Sequence, residues 1–270
     1  AGVADTFFPE VWSHNKVCGG QGRAVALGFA GHGAHIIAFD LGQKIEYPAY
    51  NRSSNEDLEA LKDEVEKLGS RIVIYAGDVR NEEDVKEAVA RGVKEFGGID
   101  ILFSNAGIAA YGYSWELTEK EWDSMIDINL KGGWVTSKYV IPELIKKNKG
   151  VIIYNSSVAG LRGMGRMSHY AASKHGLVGL AKSQAIELAP YNVRVVTLHP
   201  TGVNTPMNDG LAELEGTTPL EIAERSAGNL LKTPWVETED IVEAVKYLAS
   251  DRARFITGSQ LVIDAGLLTR

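Results

Sequence analysis

Short apolar segments alternate along the chain with longer segments in which apolar residues recur every three or four positions. The short segments are rich in β-branched residues, and several are apolar almost throughout, as expected of strands covered on both faces. They are AHIIAF (34–39), RIVIYA (71–76), IDILFS (99–104), GVIIYNS (150–156) and VRVVTLHP (193–200). This alternation predicts right-handed crossovers and an α/β fold with three layers around a doubly wound parallel sheet.

The helical segments have recognisable start signals. Ser54 precedes NEDLEALKDEVEKLG, Asn81 precedes EEDVKEAVARGVKEFG, and Thr238 precedes EDIVEAVKYLA. Thr118 with Glu121 has the spacing of a capping box before a long helix. We predict Ser54, Asn81, Thr118 and Thr238 as the N-cap residues of four helices.

The longest stretch without a strand pattern is residues 204–235. In a compact domain, a loop-and-helix stretch of this length is usually a lid over a ligand or a packed surface excursion. The pattern alone does not decide between them. We predict a substrate lid at 204–235 within a single domain spanning residues 1–270.

Charge and composition exclude several classes of protein. The net charge is -7, so no basic surface indicates binding to nucleic acid or to an anionic membrane. No apolar run approaches the ~20 residues of a membrane helix, and the first residues lack the basic start of a signal peptide. The single cysteine, Cys18, excludes an internal disulfide, and none of the 6 histidines has metal-ligand spacing. We expect a cytoplasmic protein without a metal.

A candidate proton-transfer pair lies in YAASK (170–174). Tyr170 and Lys174 are four residues apart on a predicted helix and therefore share a face. A phenol with a pKa near ~10 is a weak base at neutral pH, but a nearby ammonium stabilises the phenolate. Such a pair is suited to general acid/base catalysis, although helices also contain it by chance.

Further motifs precede this pair. Asn105-Ala106-Gly107 follows a predicted strand, Asn129 lies in the next helix, and Ser157 follows a later strand. Together with YxxxK, this order resembles the short-chain dehydrogenase/reductase family from Gly20 to the C-terminus, which implies a Rossmann-like fold. The resemblance implies that Tyr170 is the general acid/base and that Ser157 orients the reacting oxygen. It also implies that Lys174 lowers the Tyr170 pKa and holds the nicotinamide ribose, while Asn129 holds a proton-relaying water.

The resemblance also assigns a cofactor site. Asp40 ends a predicted strand, where a carboxylate accepts hydrogen bonds from ribose hydroxyls and repels a 2'-phosphate. Leu41 follows without an adjacent Arg or Lys, so NAD is favoured over NADP. The cofactor-binding residues implied are Gly20, Gln21, Gly22, Asp40, Leu41, Asp78, Val79, Asn105, Ala106, Gly107, Tyr170, Lys174, Pro200, Val203 and Thr205.

The opening of the glycine loop departs from the family pattern T-G-x-x-x-G-x-G. Asn15 and Lys16 replace Thr-Gly, Gly19 is additional, and only Gly20 and Gly22 match. The first glycine normally permits a tight turn after the first strand. We therefore expect weakened cofactor binding rather than a different fold.

Two explanations of this departure stay open. Residues 1–19 are native and form an atypical first strand, with Pro9 at a strand start or edge. Alternatively, the residues before about Gly19 are a misread translation. Codons for Trp12-Ser13-His14 can encode Leu-Val-Thr one base earlier, which suits the family strand.

Within the family, the chain resembles the carveol-dehydrogenase-like, mycofactocin-associated branch. The carrying features are the insertion LGQKIEYPAYNRSSNEDLEAL after Asp40, ELAPYNVRVVTLHPTGVNTPM and the segment PWVETEDIVEAVKYLASDRARFITGSQLVIDAG. The branch implies NAD-dependent oxidation of secondary alcohols and a redox partner that recycles the cofactor. The insertion either folds over the adenosine side or forms a surface loop. The family implies a homotetramer formed through the helices that contain Asn129 and Tyr170.

The predicted substrate pocket is mostly apolar, which suits a hydrophobic cyclic alcohol or ketone. Arg162 and Arg166 leave an anionic substrate open. Two rival functions are a 3-oxoacyl thioester reductase, which would normally need a basic residue near Asp40, and a non-catalytic dinucleotide-binding or sensing protein. The residues predicted to line the pocket are Ala109, Ala110, Val158, Leu161, Met164, Met167, Met207 and Leu211.

Overall fold

A parallel β-sheet forms the centre of the computed structural model, which describes residues 11–14, 20–50, 54–226 and 228–269. The strands are β1 (Val11–His14), β2 (Ile36–Asp40), β3 (Ile72–Ala76), β4 (Ile101–Ser104), β5 (Gly150–Asn155), β6 (Val193–Pro200) and β7 (Gln260–Ile263). Within the described residues their order is β3-β2-β1-β4-β5-β6-β7, and all neighbours are parallel. The order reverses between β1 and β4, where open α/β sheets bind their ligands.

Helices cover both faces of this sheet. They are α1 (Gln21–Ala30), α2 (Asn55–Lys67), α3 (Glu82–Phe96), α4 (Glu119–Ile126), α5 (Gly132–Lys147), α6 (Ser168–Leu188), α7 (Pro206–Glu215), α8 (Pro219–Ser226) and α9 (Thr238–Ala249). None of the helices described is long and apolar enough to cross a bilayer.

Alternate residues of β2 enter two separate cores. Ile36 and Ala38 pack in one core with residues of α1, α2 and α9. Ile37 and Phe39 pack in the other core with residues of α3, α5 and α6. A strand buried on both faces is therefore apolar throughout, which confirms the predicted three-layer, Rossmann-like α/β fold.

Three of the four predicted helix starts are confirmed. Ser54, Asn81 and Thr118 are N-caps whose side chains accept hydrogen bonds from backbone N–H groups in the first turn. The prediction for Thr238 is wrong, because it is the first helical residue and Glu237 is the N-cap. The Asp240 carboxylate accepts a hydrogen bond from the Glu237 N–H at 2.9 Å.

Two elements were not expected from the pattern. The edge strand β7 contains only four residues, and its half-exposed positions give no strong alternation. The long helix predicted after Thr118 is divided, because residues Asp127–Lys131 form a π-helical turn between α4 and α5. Such turns occur frequently at functional sites, and this one contains Asn129.

The predicted first strand is present as β1, at the centre of the sheet between β2 and β4. Pro9, Lys16 and Cys18 lie outside the described residues, as does the opening of the glycine loop.

Candidate active site

A cleft lies beyond the carboxyl ends of the central strands. Each strand end supplies a short segment: Asn105 and Gly107 after β4, Ser156 and Ser157 after β5, and residues 200–203 at the end of β6. Tyr170 and Lys174 reach the same cleft from α6. The structure therefore brings together side chains that are far apart in the sequence.

Ser157, Tyr170 and Lys174 form the polar centre of the cleft. Burial raises the pKa of Tyr170, and its hydrogen bond with Ser157 offsets part of this rise by favouring the phenolate. The Lys174 Nζ lies 5.5 Å from the centroid of the Tyr170 ring. The ammonium donates a hydrogen bond to the Asn155 carbonyl oxygen at 2.8 Å. Burial lowers the pKa of Lys174 to about 8.

We expected Lys174 to lower the Tyr170 pKa. With the groups of the protein alone, the pKa is raised instead. The phenol is largely withdrawn from water beside the cleft, and the loss of hydration of the phenolate outweighs the Ser157 hydrogen bond.

Asn129 holds the backbone that follows β4. Its side-chain oxygen accepts a hydrogen bond from the Ile108 N–H at 2.8 Å, and its amide donates to the Ile108 carbonyl at 2.9 Å. The amide nitrogen also lies 3.1 Å from the Ser173 hydroxyl oxygen. Asn129 therefore connects the π-helical turn to α6 and to the backbone that follows β4.

His199 was not predicted as a site residue, yet it supports the serine. It is fully buried in β6, and its Nδ1 lies 2.7 Å from the Ser157 carbonyl oxygen. Because a carbonyl only accepts, Nδ1 donates, and in the neutral ring Nε2 accepts from the Thr197 hydroxyl at 2.7 Å. Burial lowers the His199 pKa, which favours this neutral tautomer. A histidine in an otherwise apolar strand was the available signal.

Asn155 was also missed. Its amide donates hydrogen bonds to the Gln21 side chain at 2.9 Å and to the Asn105 side chain at 2.6 Å. Its carbonyl accepts from Lys174. Asn155 therefore connects the start of α1, the loop after β4 and Lys174.

The predicted cofactor residues form two groups. One group lines the cleft with the catalytic pair: Gly20, Gln21, Asn105, Gly107, Pro200, Val203 and Thr205. The other group does not line it: Gly22 lies in α1, Asp40 and Leu41 at the end of β2, Asp78 and Val79 after β3, and Ala106 in the core beside the cleft.

The acidic residues of the second group have protein partners. The Asp40 side chain is buried and accepts a hydrogen bond from the Gly42 N–H at 3.3 Å. Asp78 forms an ion pair with Arg80 at 2.5 Å. Asp40 therefore stands at the carboxyl end of β2 as predicted, whereas the Asp78 carboxylate is oriented by a neighbouring guanidinium.

The far end of the cleft is apolar. Six of the predicted pocket residues line it: Ala109, Val158, Met164, Met167, Met207 and Leu211. The predictions for Ala110 and Leu161 are wrong, because Ala110 is buried in the core formed with α3, α5 and α6, and Leu161 is 37% exposed. Ile222 from α8 also lines the cleft, which was not predicted.

Tyr50, from the insertion after β2, contacts the wall of this apolar end at Ala109. It is 6% exposed, donates a hydrogen bond to the Ala109 carbonyl at 2.7 Å and accepts one from the Ala109 N–H at 3.2 Å. A Cβ added at Gly210 of α7 would lie 2.1 Å from the Tyr50 ring, so the glycine permits this contact. The insertion thereby touches both the cleft wall and α7.

Known proteins share this architecture. A family model described as enoyl-(acyl carrier protein) reductase matches residues 18–268. A (-)-trans-carveol dehydrogenase of Rhodococcus erythropolis is 41% identical over 258 residues, covering 92% of this chain and 93% of that protein. Two crystal structures are similar to this chain. Carveol dehydrogenase from Mycobacterium avium in complex with NAD has a TM-score of 0.92 and 38% identity, covering 97% of this chain and 98% of that chain. A short chain dehydrogenase from Mycobacterium paratuberculosis bound to NAD has a TM-score of 0.89 and 34% identity, covering 97% and 98%.

The chain belongs to the short-chain dehydrogenase/reductase family, and its resemblance to carveol dehydrogenases is confirmed. It is thus an oxidoreductase by family, which argues against the non-catalytic alternative.

Proposed function

We propose that the protein interconverts a hydrophobic secondary alcohol and its ketone with NAD, using Tyr170 as general acid/base. The observation that carries this proposal is the meeting of Ser157, Tyr170 and Lys174 in one cleft whose far end is apolar. NAD is bound in the two structural relatives, and the predicted cofactor is confirmed.

The residues of this chain fit the cofactor. Among the described residues no side chain caps the N-terminus of α1 at Gly20, where backbone amides and the helix dipole favour a phosphate. Asp40 at the end of β2 suits a ribose diol, and Leu41 places no cation beside it. When bound, the nicotinamide accepts or supplies a hydride.

The proton steps belong to the protein. During oxidation the Tyr170 phenolate takes the hydroxyl proton of the alcohol, and Ser157 donates a hydrogen bond to the same oxygen. Lys174 and the positive charge of oxidised nicotinamide together oppose the burial that raises the Tyr170 pKa. Asn129 fixes the backbone at Ile108, and we retain the prediction that it holds a proton-relaying water.

The substrate end favours a compact apolar molecule. Met164, Met167 and Met207 line it, and methionine side chains adapt to irregular apolar shapes. Residues 204–235 contain α7 and α8, and we propose that this segment acts as a lid because Met207, Leu211 and Ile222 contact the cleft. A cyclic, terpenoid-like alcohol suits these surroundings.

Reduction of a 3-oxoacyl thioester is the second candidate, because a 3-oxoacyl-[acyl-carrier-protein] reductase of Thermotoga maritima is 34% identical over 259 residues, covering 94% of this chain and 98% of that protein. Asp40 argues against it, since a buried carboxylate there repels the 2'-phosphate of NADPH. Rates with a cyclic ketone and a 3-oxoacyl thioester, each with NADH and NADPH, separate the two. Faster thioester reduction with NADPH would favour the reductase.

The proposal also covers the assembly of the subunits and the recycling of the cofactor. We propose a homotetramer, a redox partner that reoxidises a retained cofactor, and association with mycofactocin. Mass spectrometry of the purified protein under denaturing conditions measures released NAD, and about one NAD per subunit is expected if the cofactor is retained. Cytoplasmic localisation stays a prediction.

Replacement of Tyr170 by phenylalanine tests the catalytic role. Loss of one general acid/base group typically lowers turnover by about 10²–10⁴-fold. We expect this loss in Tyr170→Phe with retained NAD binding, whereas Tyr111→Phe, which changes another tyrosine of the cleft, keeps most activity. Equal turnover by Tyr170→Phe and wild type would disprove the assigned mechanism.

A further inference from the structure

The charges that line the cleft are unbalanced. Two cationic residues, Lys174 and Arg162, are among its described lining residues, and no aspartate or glutamate is. Lys174 has a defined place, since it donates a hydrogen bond to the Asn155 carbonyl. Arg162 therefore requires a separate explanation.

The Arg162 side chain has no protein partner within the described part of the chain. Its Nε is buried and makes no hydrogen bond. A buried donor without a partner loses its hydration without compensation, and the loss is larger for a charged group. A residue that stabilises the fold is normally paired, so this arrangement favours a role toward a ligand.

Arg166, only four residues later, differs in this respect. Its two terminal nitrogens each lie 2.9 Å from a Glu215 carboxylate oxygen. The guanidinium also lies over the Tyr111 ring at 5.3 Å and the Tyr113 ring at 5.6 Å. The sequence left both arginines as candidates for an anionic substrate, and these contacts satisfy Arg166 within the protein.

The backbone holds Arg162 close to the catalytic serine. Ser157 precedes a short 3-10 turn, Val158–Gly160, and the Arg162 N–H donates a hydrogen bond to the Val158 carbonyl at 3.0 Å. The cation thus belongs to the same ordered loop as Ser157.

We propose that Arg162 binds a carboxylate on the substrate, at a position separate from the reacting alcohol. A guanidinium presents its two terminal nitrogens as a fork that matches a carboxylate in a bidentate pair. This inference rests on the proposed function for the reacting group, and it narrows the substrate class to alicyclic hydroxy or keto acids. Their apolar ring occupies the methionine-lined end of the cleft.

Binding of unreactive ligands tests this site without turnover. Calorimetry on the NAD-saturated protein compares cyclohexanecarboxylate with the neutral cyclohexanecarboxamide. We expect the wild type to bind the carboxylate at least about tenfold more tightly, because bidentate, charge-assisted bonds are stronger than neutral ones. Arg162→Gln should abolish the preference, Arg162→Lys should restore part of it, and Arg166→Gln should retain it.

Equal binding of the two ligands by the wild type would overturn the proposal, as would a preference that persists in Arg162→Gln. Thermal unfolding of each variant monitors folding, and the wild-type comparison does not depend on any variant.

Turnover separates this inference from the proposed function. The matched substrates are hydroxycyclohexanecarboxylate and methylcyclohexanol, with formation of reduced nicotinamide as the readout. Preferred oxidation of the hydroxy acid, lost in Arg162→Gln, supports both proposals. Oxidation of both alcohols with equal kcat/KM overturns only the role of Arg162. Carboxylate-selective binding without oxidation of either alcohol supports the anion site and contradicts the assigned reaction.

Discussion

Lys174 is an ammonium group that folding removes from water. It is 5% exposed, and burial lowers its pKa from 10.5 to about 8. Between these pH values the unfolded chain binds more protons at this group than the folded chain, so the free energy of unfolding rises with pH. The lysine therefore reduces stability at neutral pH, a cost that is consistent with the catalytic role proposed for it.

The NAD-free protein should show this linkage directly. We expect the unfolding free energy to rise between pH about 8 and about 10, by up to about 3 kcal/mol for a shift of this size. Lys174→Met should remove the rise. Urea unfolding across this window measures it, and parallel curves for the two proteins would contradict the assignment. Above about pH 10, tyrosines with raised pKa values such as Tyr170 act in the opposite direction.

His199 acts on the reaction through Ser157. His199→Leu leaves the Thr197 hydroxyl without its partner, at a cost of about 1–3 kcal/mol, and leaves the Ser157 carbonyl with the Gly160 N–H alone. We expect kcat to fall at least about tenfold with a smaller change in KM, because a displaced serine supports the transition state poorly. The control is His175→Leu, since His175 is exposed on α6. Equal kcat values for both variants in steady-state kinetics would contradict the positioning role of His199.

At the scale of elements, two side chains hold the strand extension after β4 in the same way. Asn129 binds both backbone polar groups of Ile108, and Tyr50 binds both of Ala109. One clamp comes from the π-helical turn and the other from the insertion after β2. The insertion thus supports the cleft wall at Ala109.

Tyr50→Phe tests whether the hydrogen bonds of Tyr50 with Ala109 stabilise the cleft wall. The ring still packs, but two buried polar groups of Ala109 lose their partner, which costs about 1–3 kcal/mol of stability. We expect a several-fold rise in KM for the alcohol, measured alongside the unfolding free energy. Tyr47→Phe is the matched control in the same insertion, because Tyr47 bonds His169 instead of the cleft wall. A rise in KM of equal size in the control would contradict the clamp.

The element order and the candidate catalytic set could be predicted because both depend on local spacing. The apolar strands mark the sheet, and Tyr170 and Lys174 are one helical turn apart. Tyr50 and His199 could not be assigned, since their partners are 59 and 42 residues away and spacing does not encode which loops meet. The π-helical turn was missed because its residues continue an ordinary helical pattern.

On one side of the sheet, the covering helices carry large apolar side chains on their solvent-exposed surface. α4, α5 and α6 cover this face, and they expose Trp122, Trp134 and Ile186 respectively. Large exposed apolar side chains on adjacent helices favour association with another subunit. This agrees with the predicted tetramer, in which these helices meet their counterparts.

Ile186→Glu tests the tetramer. Ile186 is 79% exposed in the single chain, so a carboxylate there costs little in an isolated subunit. In the predicted interface the same carboxylate would be buried opposite its symmetry mate and would prevent close packing. Sedimentation at micromolar concentration should give a tetramer for the wild type and a smaller species for Ile186→Glu. Leu68→Glu, at the exposed C-terminus of α2, should remain tetrameric. A wild-type monomer would contradict the assembly, and an unchanged Ile186→Glu tetramer would exclude this face as its interface.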